Sequence, residues 1–214
     1  SPTCSFRVNL FGNENLFAYP CVYTDAFSQS TSRHRIIPMS QRTNYPLRTR
    51  SFAFFDVETT GLRPDRGARI CEMAVADRDG IQFDWSSASD PSVDPELTEH
   101  LLLLMDYLQS SVVVGHNLQF DFRFLTYEAE RLGLGGLDVQ YVDTLGLART
   151  LLPDRDGFEL GSLLTAFNHD SGEELHTAVG DACGTRALFW YLVDRGDLQT
   201  LADAGLKRLC WNVG

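Results

Sequence analysis

Lysine is almost absent from this chain: Lys207 is the only one among its 18 basic residues, so nearly every positive group is a guanidinium. Cysteine is sparse too. Cys4, Cys21, Cys71, Cys183 and Cys210 are odd in number, far apart, and never spaced Cys-x-x-Cys. That pattern argues against a disulfide framework and a thiolate zinc site, and it suits a reducing compartment. No apolar run approaches the roughly 20 residues needed to span a bilayer, and no apolar signal-peptide core stands near the start. The expectation is an intracellular protein, cytoplasmic or nucleoid-associated, with no membrane partner. Acids are missing altogether from residues 28–51, where Ser, Thr, Gln and Arg predominate. Three readings fit that stretch: a solvated linker, the remnant of an organellar transit segment, and a basic arm for substrate phosphates.

The charge is unevenly spread. Residues 1–50 hold six arginines against two acids (+4), whereas 51–214 hold twelve basic and 27 acidic residues (−15). A body this acidic argues against broad nucleic-acid binding. It opens a second function class, an acidic interaction module that docks a polymerase or other nucleic-acid enzyme. With 214 residues, 43% of them hydrophobic, the chain can build one sizeable core plus extensions. The division expected is a basic, partly disordered extension or linker over 1–50, the main folded domain over 51–196, and a C-terminal helix or tail over 197–214. Alternation over Phe6–Leu10 suggests an early hairpin.

From residue 51 the periodicity sharpens. Ser51–Val57, Ile70–Asp77 and Ile81–Trp85 read as strands, with Asp79-Gly80 as a hairpin turn between the last two. Asp94-Pro95 opens a helix whose Leu97, Leu101, Leu104 and Leu108 share one face. Val112–Val114 is a short buried strand. Phe120, Phe124, Tyr127 and Leu132 mark a helix that Gly133 ends. Tyr141-Val142 begins the next strand–helix unit, and helices follow over Leu160–Phe167 and Ala178–Val193. Antiparallel strands followed by alternating strands and helices give an α/β fold, a mixed sheet covered by helices.

Acids gather at the ends of these elements. Asp56 and Glu58, two apart at the end of the first strand, point to one face. Two buried carboxylates side by side repel and resist desolvation, and a hard divalent cation relieves both penalties. Alone, the pair reads equally well as a strand end passing into a Thr-Thr-Gly turn. Asp121 opens a helix, where a cap is its ordinary role; Asp143 stands in the same setting and reads as a cap. His176 and Asp181, five residues apart, cannot share a helical face. They converge only if His176 lies in the loop before the helix and that loop curls back.

Taken in order, Phe55-Asp56-Val57-Glu58-Thr59-Thr60-Gly61-Leu62, then Gly115-His116-Asn117-Leu118-Gln119-Phe120-Asp121, then Asp143-Thr144-Leu145, then His176-Thr177-Ala178-Val179-Gly180-Asp181 resemble the DEDDh (DnaQ-like) exonucleases. This is the superfamily that includes the proofreading epsilon subunit of bacterial DNA polymerase III. The resemblance covers about 51–195. It implies a ribonuclease H-like mixed five-stranded sheet, three antiparallel strands then parallel ones, flanked by helices. It also implies 3′–5′ hydrolysis of DNA or RNA from a single-stranded 3′ end, releasing nucleoside monophosphates. Two divalent cations, Mg²⁺ or Mn²⁺, are implied as cofactors, clamping the attacking and leaving oxygens. On this resemblance Asp56 bridges both ions, Glu58 and Asp181 hold the water-activating one, and Asp121 supports the second. His176 is the general base. Thr59, Thr60, Gly61 and Leu62 receive the terminal nucleotide, joined by His116, Asn117 and Phe120. Phe120 and Phe124 also fit core packing at their spacing. Only about ten residues, Ser86–Pro95, stand where epsilon-like proteins carry a longer segment beside the substrate, so the substrate preference does not carry over.

Overall fold

A computed structural model describes residues 46–87, 94–169 and 173–211. Six strands form one sheet: β1 (Phe52–Thr59), β2 (Ile70–Ala76), β3 (Ile81–Ser86), β4 (Val112–Gly115), β5 (Leu137–Asp143) and β6 (Lys207–Trp211). Their order is β3-β2-β1-β4-β5-β6. The three leading strands are antiparallel neighbours, whereas β1–β4 and β4–β5 are parallel. Five helices pack on the sheet: α1 (Leu97–Ser110), α2 (Leu118–Leu132), α3 (Thr144–Leu151), α4 (Leu160–Ala166) and α5 (Ala178–Arg195).

Both faces of the sheet are covered, which is why β1 begins as an unbroken apolar run instead of an alternating one. On one face Phe52 and Phe54 meet Phe189 of α5, with ring centroids 5.1 and 5.8 Å away. On the other, Phe55 and Val57 join Leu101, Leu104 and Leu108 of α1 and Phe124 and Leu125 of α2. The Asp79-Gly80 turn joins β2 to β3, with Gly80 at φ 133° and its carbonyl accepting from Asp77 N–H at 2.8 Å. Gly133 ends α2 in the left-handed region, φ 66°. Asp94 acts two residues before the cap position: its carboxylate accepts from Glu96 N–H (2.9 Å) and from the Ser87 hydroxyl (2.8 Å), ahead of a helix that starts at Leu97.

The sheet has six strands where five are expected. The segment read as a helix or tail enters β6, antiparallel to β5 from Leu137↔Trp211 to Tyr141↔Lys207. Its signal is faint because only Leu209 and Trp211 face inward, while Lys207 and Arg208 stay exposed and guard an edge strand. The folded body also begins before residue 51. Leu47 is buried, its N–H donates to Gln199 O at 3.0 Å, and Pro46 bridges Thr200. The early hairpin, and all but the last few residues of the 1–50 extension read as linker, transit remnant or arm, fall outside the described residues.

Candidate active site

At the end of β1, Asp56 and Glu58 project on the face covered by α5, opposite Ala74 and Glu72 of β2. The first turn of α5 brings Asp181 to them, with Ala178 and Ala182 buried in the same core as Phe54 and Ala74. One oxygen from each of Asp56, Glu58 and Asp181 lies within 4.8 Å of the others. Burial pushes the Asp56 carboxyl well above the ordinary range, and Asp121, Asp181, Glu58 and Glu72 add repulsion. Glu58 is raised for the same reasons, burial first, then Asp181 and Glu72, against a lowering pull from His176.

Asp121 arrives from the opposite layer, in the first turn of α2. The β1–β4 ladder stops at Phe54↔Val114, and beyond it the Val57 N–H finds a partner in Asp121 Oδ1 at 3.2 Å. That bond draws a helix residue to the edge of the acid cluster. Asp121 is 3% exposed, and burial lifts its carboxyl to about 8, opposed by its own and the Val57 N–H. Among the described residues its oxygens are not grouped with the other three, although its charge is felt at Asp56.

His176 lies in the loop just before α5, as convergence requires. It adopts φ 67°, a left-handed conformation that histidine tolerates better than most side chains. Its N–H donates to Asp181 Oδ1 at 3.1 Å, so one carboxylate faces the cluster and clasps the loop. Thr177 caps α5, accepting from Gly180 N–H at 3.0 Å and donating to Glu174 O at 2.7 Å. The loop crosses so close that a Cβ on Gly180 would stand 1.8 Å from Glu174 O, so only glycine fits.

The turn after β1 is shaped by its own hydroxyls. Thr59 Oγ1 donates to Gly61 O (2.8 Å), and Thr60 Oγ1 accepts from Arg69 N–H (2.9 Å). Arg69 in turn grips buried Glu128 of α2 through Nε and Nη2, at 2.5 and 2.8 Å. This holds Leu62 out at 76% exposure. Of the remaining candidates, Asn117 heads α2 at φ 68° and gives its N–H to Asp143 Oδ1 (3.1 Å). Asp143 caps α3 through Leu145 N–H (2.9 Å), which ties two loops together. Both ring nitrogens of His116 are engaged within the protein, Nδ1 with Thr144 Oγ1 (2.9 Å) and Nε2 with Phe158 O (2.7 Å). Phe124 is core and Phe120 is half-buried against it.

Glu72 is the functional candidate that sequence reading passes over. It faces Glu58 across the strand pair, and its Oε2 accepts from Ala178 N–H at 3.1 Å, docking the start of α5 onto the sheet. Only the β1–β2 register could reveal it. Glu72→Ala is expected to lower the turnover rate about 10–100-fold by releasing the helix that carries Asp181, whereas Glu72→Gln, which keeps the acceptor, stays within a few-fold of wild type. Steady-state rates at saturating metal distinguish the two.

An all-carboxylate donor set fits a hard divalent cation, and the upward-shifted acids are the electrostatic mark of a place where positive charge is stabilising. A cavity of about 700 Å³ lined by Arg48, Arg78, Tyr107 and Trp190 lies near the start of β1 and takes in none of these acids.

No family model matches the chain. Its relatives include the PolC-type DNA polymerase III of Lacticaseibacillus paracasei, 32% identical over 177 residues, covering 72% of this chain and 12% of the polymerase. That of Streptococcus suis is 34% identical over 174 residues, with the same coverage of 72% and 12%. The 3′-5′ exonuclease DinG of Bacillus subtilis is 28% identical over 181 residues, 74% of this chain and 19% of that protein. The chain therefore spans only 12% to 19% of the length of these relatives. Among solved structures, exonuclease X in complex with 5′ overhanging duplex DNA superposes with a TM-score of 0.50 at 20% identity, covering 72% of this chain and 98% of that one. Brucella melitensis NrnC bound to pGG gives a TM-score of 0.50 at 19% identity, covering 75% of this chain and 78% of that one. The fold is ribonuclease H-like, and these relatives bear out the resemblance of the chain to the DnaQ-like 3′–5′ exonucleases.

Proposed function

We propose that this chain is a metal-dependent 3′–5′ exonuclease that removes nucleoside monophosphates from a single-stranded 3′ end. The observation that carries the reading is the convergence of Asp56, Glu58 and Asp181 within 4.8 Å beside a loop that Asp181 itself clasps at His176. Asp56, Glu58 and Asp181 would hold one Mg²⁺ or Mn²⁺, and Asp121, next to Asp56, would serve a second. Bound there, the cations supply charge neutralisation at the phosphodiester and an acidified water. The residues of the chain do the rest. His176 takes the proton of the attacking water on a ring nitrogen. The Thr59–Leu62 turn receives the terminal nucleotide, with exposed Leu62 offering an apolar surface to its base. These contacts read no base edge, so weak sequence preference is expected. His116, bonded at its ring nitrogens to Thr144 Oγ1 and Phe158 O, would support the nucleotide site together with Asn117 and Phe120.

DNA is the preferred substrate in this reading, supported by relatives that are DNA polymerases. Those relatives, with the −15 body, also favour a second role, docking to a polymerase or another nucleic-acid enzyme. No helix among the described residues is long and apolar enough to cross a membrane. Free thiols at Cys71, Cys183 and Cys210 support an intracellular, reducing site of action. The test is digestion of 5′-labelled single strands of DNA and RNA, and of their duplexes, with Mg²⁺ or Mn²⁺ and with chelator. Stepwise shortening of DNA from the 3′ end, abolished on chelation, is expected. Absence of shortening on every substrate would falsify the reading, and faster loss of RNA would assign an RNA-trimming role instead.

A further inference from the structure

We infer that the outer face of α2, together with the turn that follows β1, forms a second subsite that holds the single strand behind its 3′-terminal nucleotide. The inference rests on the exonuclease reading and supplies what an acidic body lacks, a place for the substrate's own negative charge.

Three arginines meet here in a chain of net charge −11. Arg63 and Arg66 belong to the turn that presents Leu62, and Arg123 rises from α2 to donate from Nη2 to Leu62 O at 2.8 Å. The Arg123 guanidinium lies over Phe120 and Phe124, 5.5 and 5.8 Å from the ring centroids. Arg63 spends Nε and Nη2 on Asp65, at 3.1 and 2.6 Å. One acid against three guanidiniums leaves the patch positive. Arg66 is exposed, and its side chain has no ion pair among the described residues.

Aromatic and apolar surface lies among these charges. Leu62 is 76% exposed, and Tyr127 is 42% exposed. Phe120, Arg123 and Tyr127 recur at helical spacing along one stripe, and seven residues of helix give it a length of about 10 Å. The stripe starts beside Asp121, in the first turn of α2, and runs away from the acid cluster. A strand whose last nucleotide sits at Leu62 can therefore continue along α2. Guanidiniums on phosphates and rings on bases are what a strand held without sequence preference requires. Arg66 and Arg123 contact phosphates behind the scissile one, and Tyr127, at the far end of the stripe, offers its ring to a base upstream of the second.

The experiment compares wild type with Arg66→Glu and with Arg123→Gln/Tyr127→Ala. Binding is read by anisotropy of a labelled eight-nucleotide DNA strand in Ca²⁺ over a salt series, and cleavage is read on the same strand and on a dinucleotide. Arg66→Glu reverses an exposed charge and leaves the fold intact. Each variant is expected to bind the longer strand about tenfold more weakly, with the salt slope reduced by about 0.7 for each phosphate no longer neutralised. The rise in KM should be at least about fivefold larger on the longer strand than on the dinucleotide. Unchanged affinity and salt slope in both variants, or equal losses at both lengths, overturn the subsite. Weakened binding by the variants of a wild type that cleaves neither strand keeps the subsite and overturns the exonuclease reading.

Discussion

Asp56→Asn is expected to lower the cleavage rate by at least about 10³-fold, because it removes the carboxylate at the centre of the cluster and with it several kcal/mol of stabilisation of the reacting phosphate. The same substitution should stabilise the metal-free protein. Asp56 and Asp121 both carry folded pKa values above their unfolded ones, Asp121 at about 8 against 3.8. An acid shifted upward binds more protons folded than unfolded, so its penalty is absent at low pH. The penalty grows as the pH rises from the unfolded value through the folded one. Wild type without metal should therefore lose stability between about pH 4 and pH 8. The Asn variant, with one fewer repelling charge, should melt above wild type at pH 8 and converge with it near pH 5. Mg²⁺ should raise the wild-type Tm by linkage and move the variant less. Thermal melts across that pH range with and without Mg²⁺, alongside single-turnover cleavage, read both effects. A variant that keeps wild-type activity, or that melts lower without metal at pH 8, would contradict the account of the cluster.

His176→Ala should cost about 10²–10⁴ in turnover, the usual contribution of a positioned general base. Because His176 sits at φ 67°, alanine also disturbs the backbone, at a cost of order 1–3 kcal/mol for a side chain unsuited to that region. His176→Asn separates the two effects: asparagine tolerates the conformation but cannot take the proton. Both variants should be slow by similar factors in single-turnover cleavage. Rapid cleavage by the Asn variant would reduce His176 to a loop residue.

Local patterning carried much of this molecule in plain view. Phe52–Phe55 read as a strand because a run of four apolar residues has to be buried on both faces, and alternation placed Asp56 and Glu58 together. The impossibility of a shared helical face put His176 in a loop ahead of α5, where it lies. Gly133, the Asp79-Gly80 turn and the Asp143 cap were equally local, each answering to backbone geometry or to an unpaired N–H. β6 escaped because two inward residues among exposed Lys207, Arg208 and Cys210 make too weak an alternation to separate a short edge strand from a tail.

What the sequence determined by itself is therefore the identity of the elements and of the groups at their ends, since turn chemistry and side-chain period act over a few residues. Tertiary structure decided which of those groups share space. Asp121 joins the acids because β4 ends early and leaves the Val57 N–H to be met. Glu72 docks α5 because strand register sets it against Glu58. Arg66, Arg123 and Tyr127 line one route because a turn and a helix far apart in the chain are bolted together through Arg69, Glu128 and the Leu62 carbonyl. Register and packing between distant segments follow from the whole core closing at once, and no short stretch of residues contains that information.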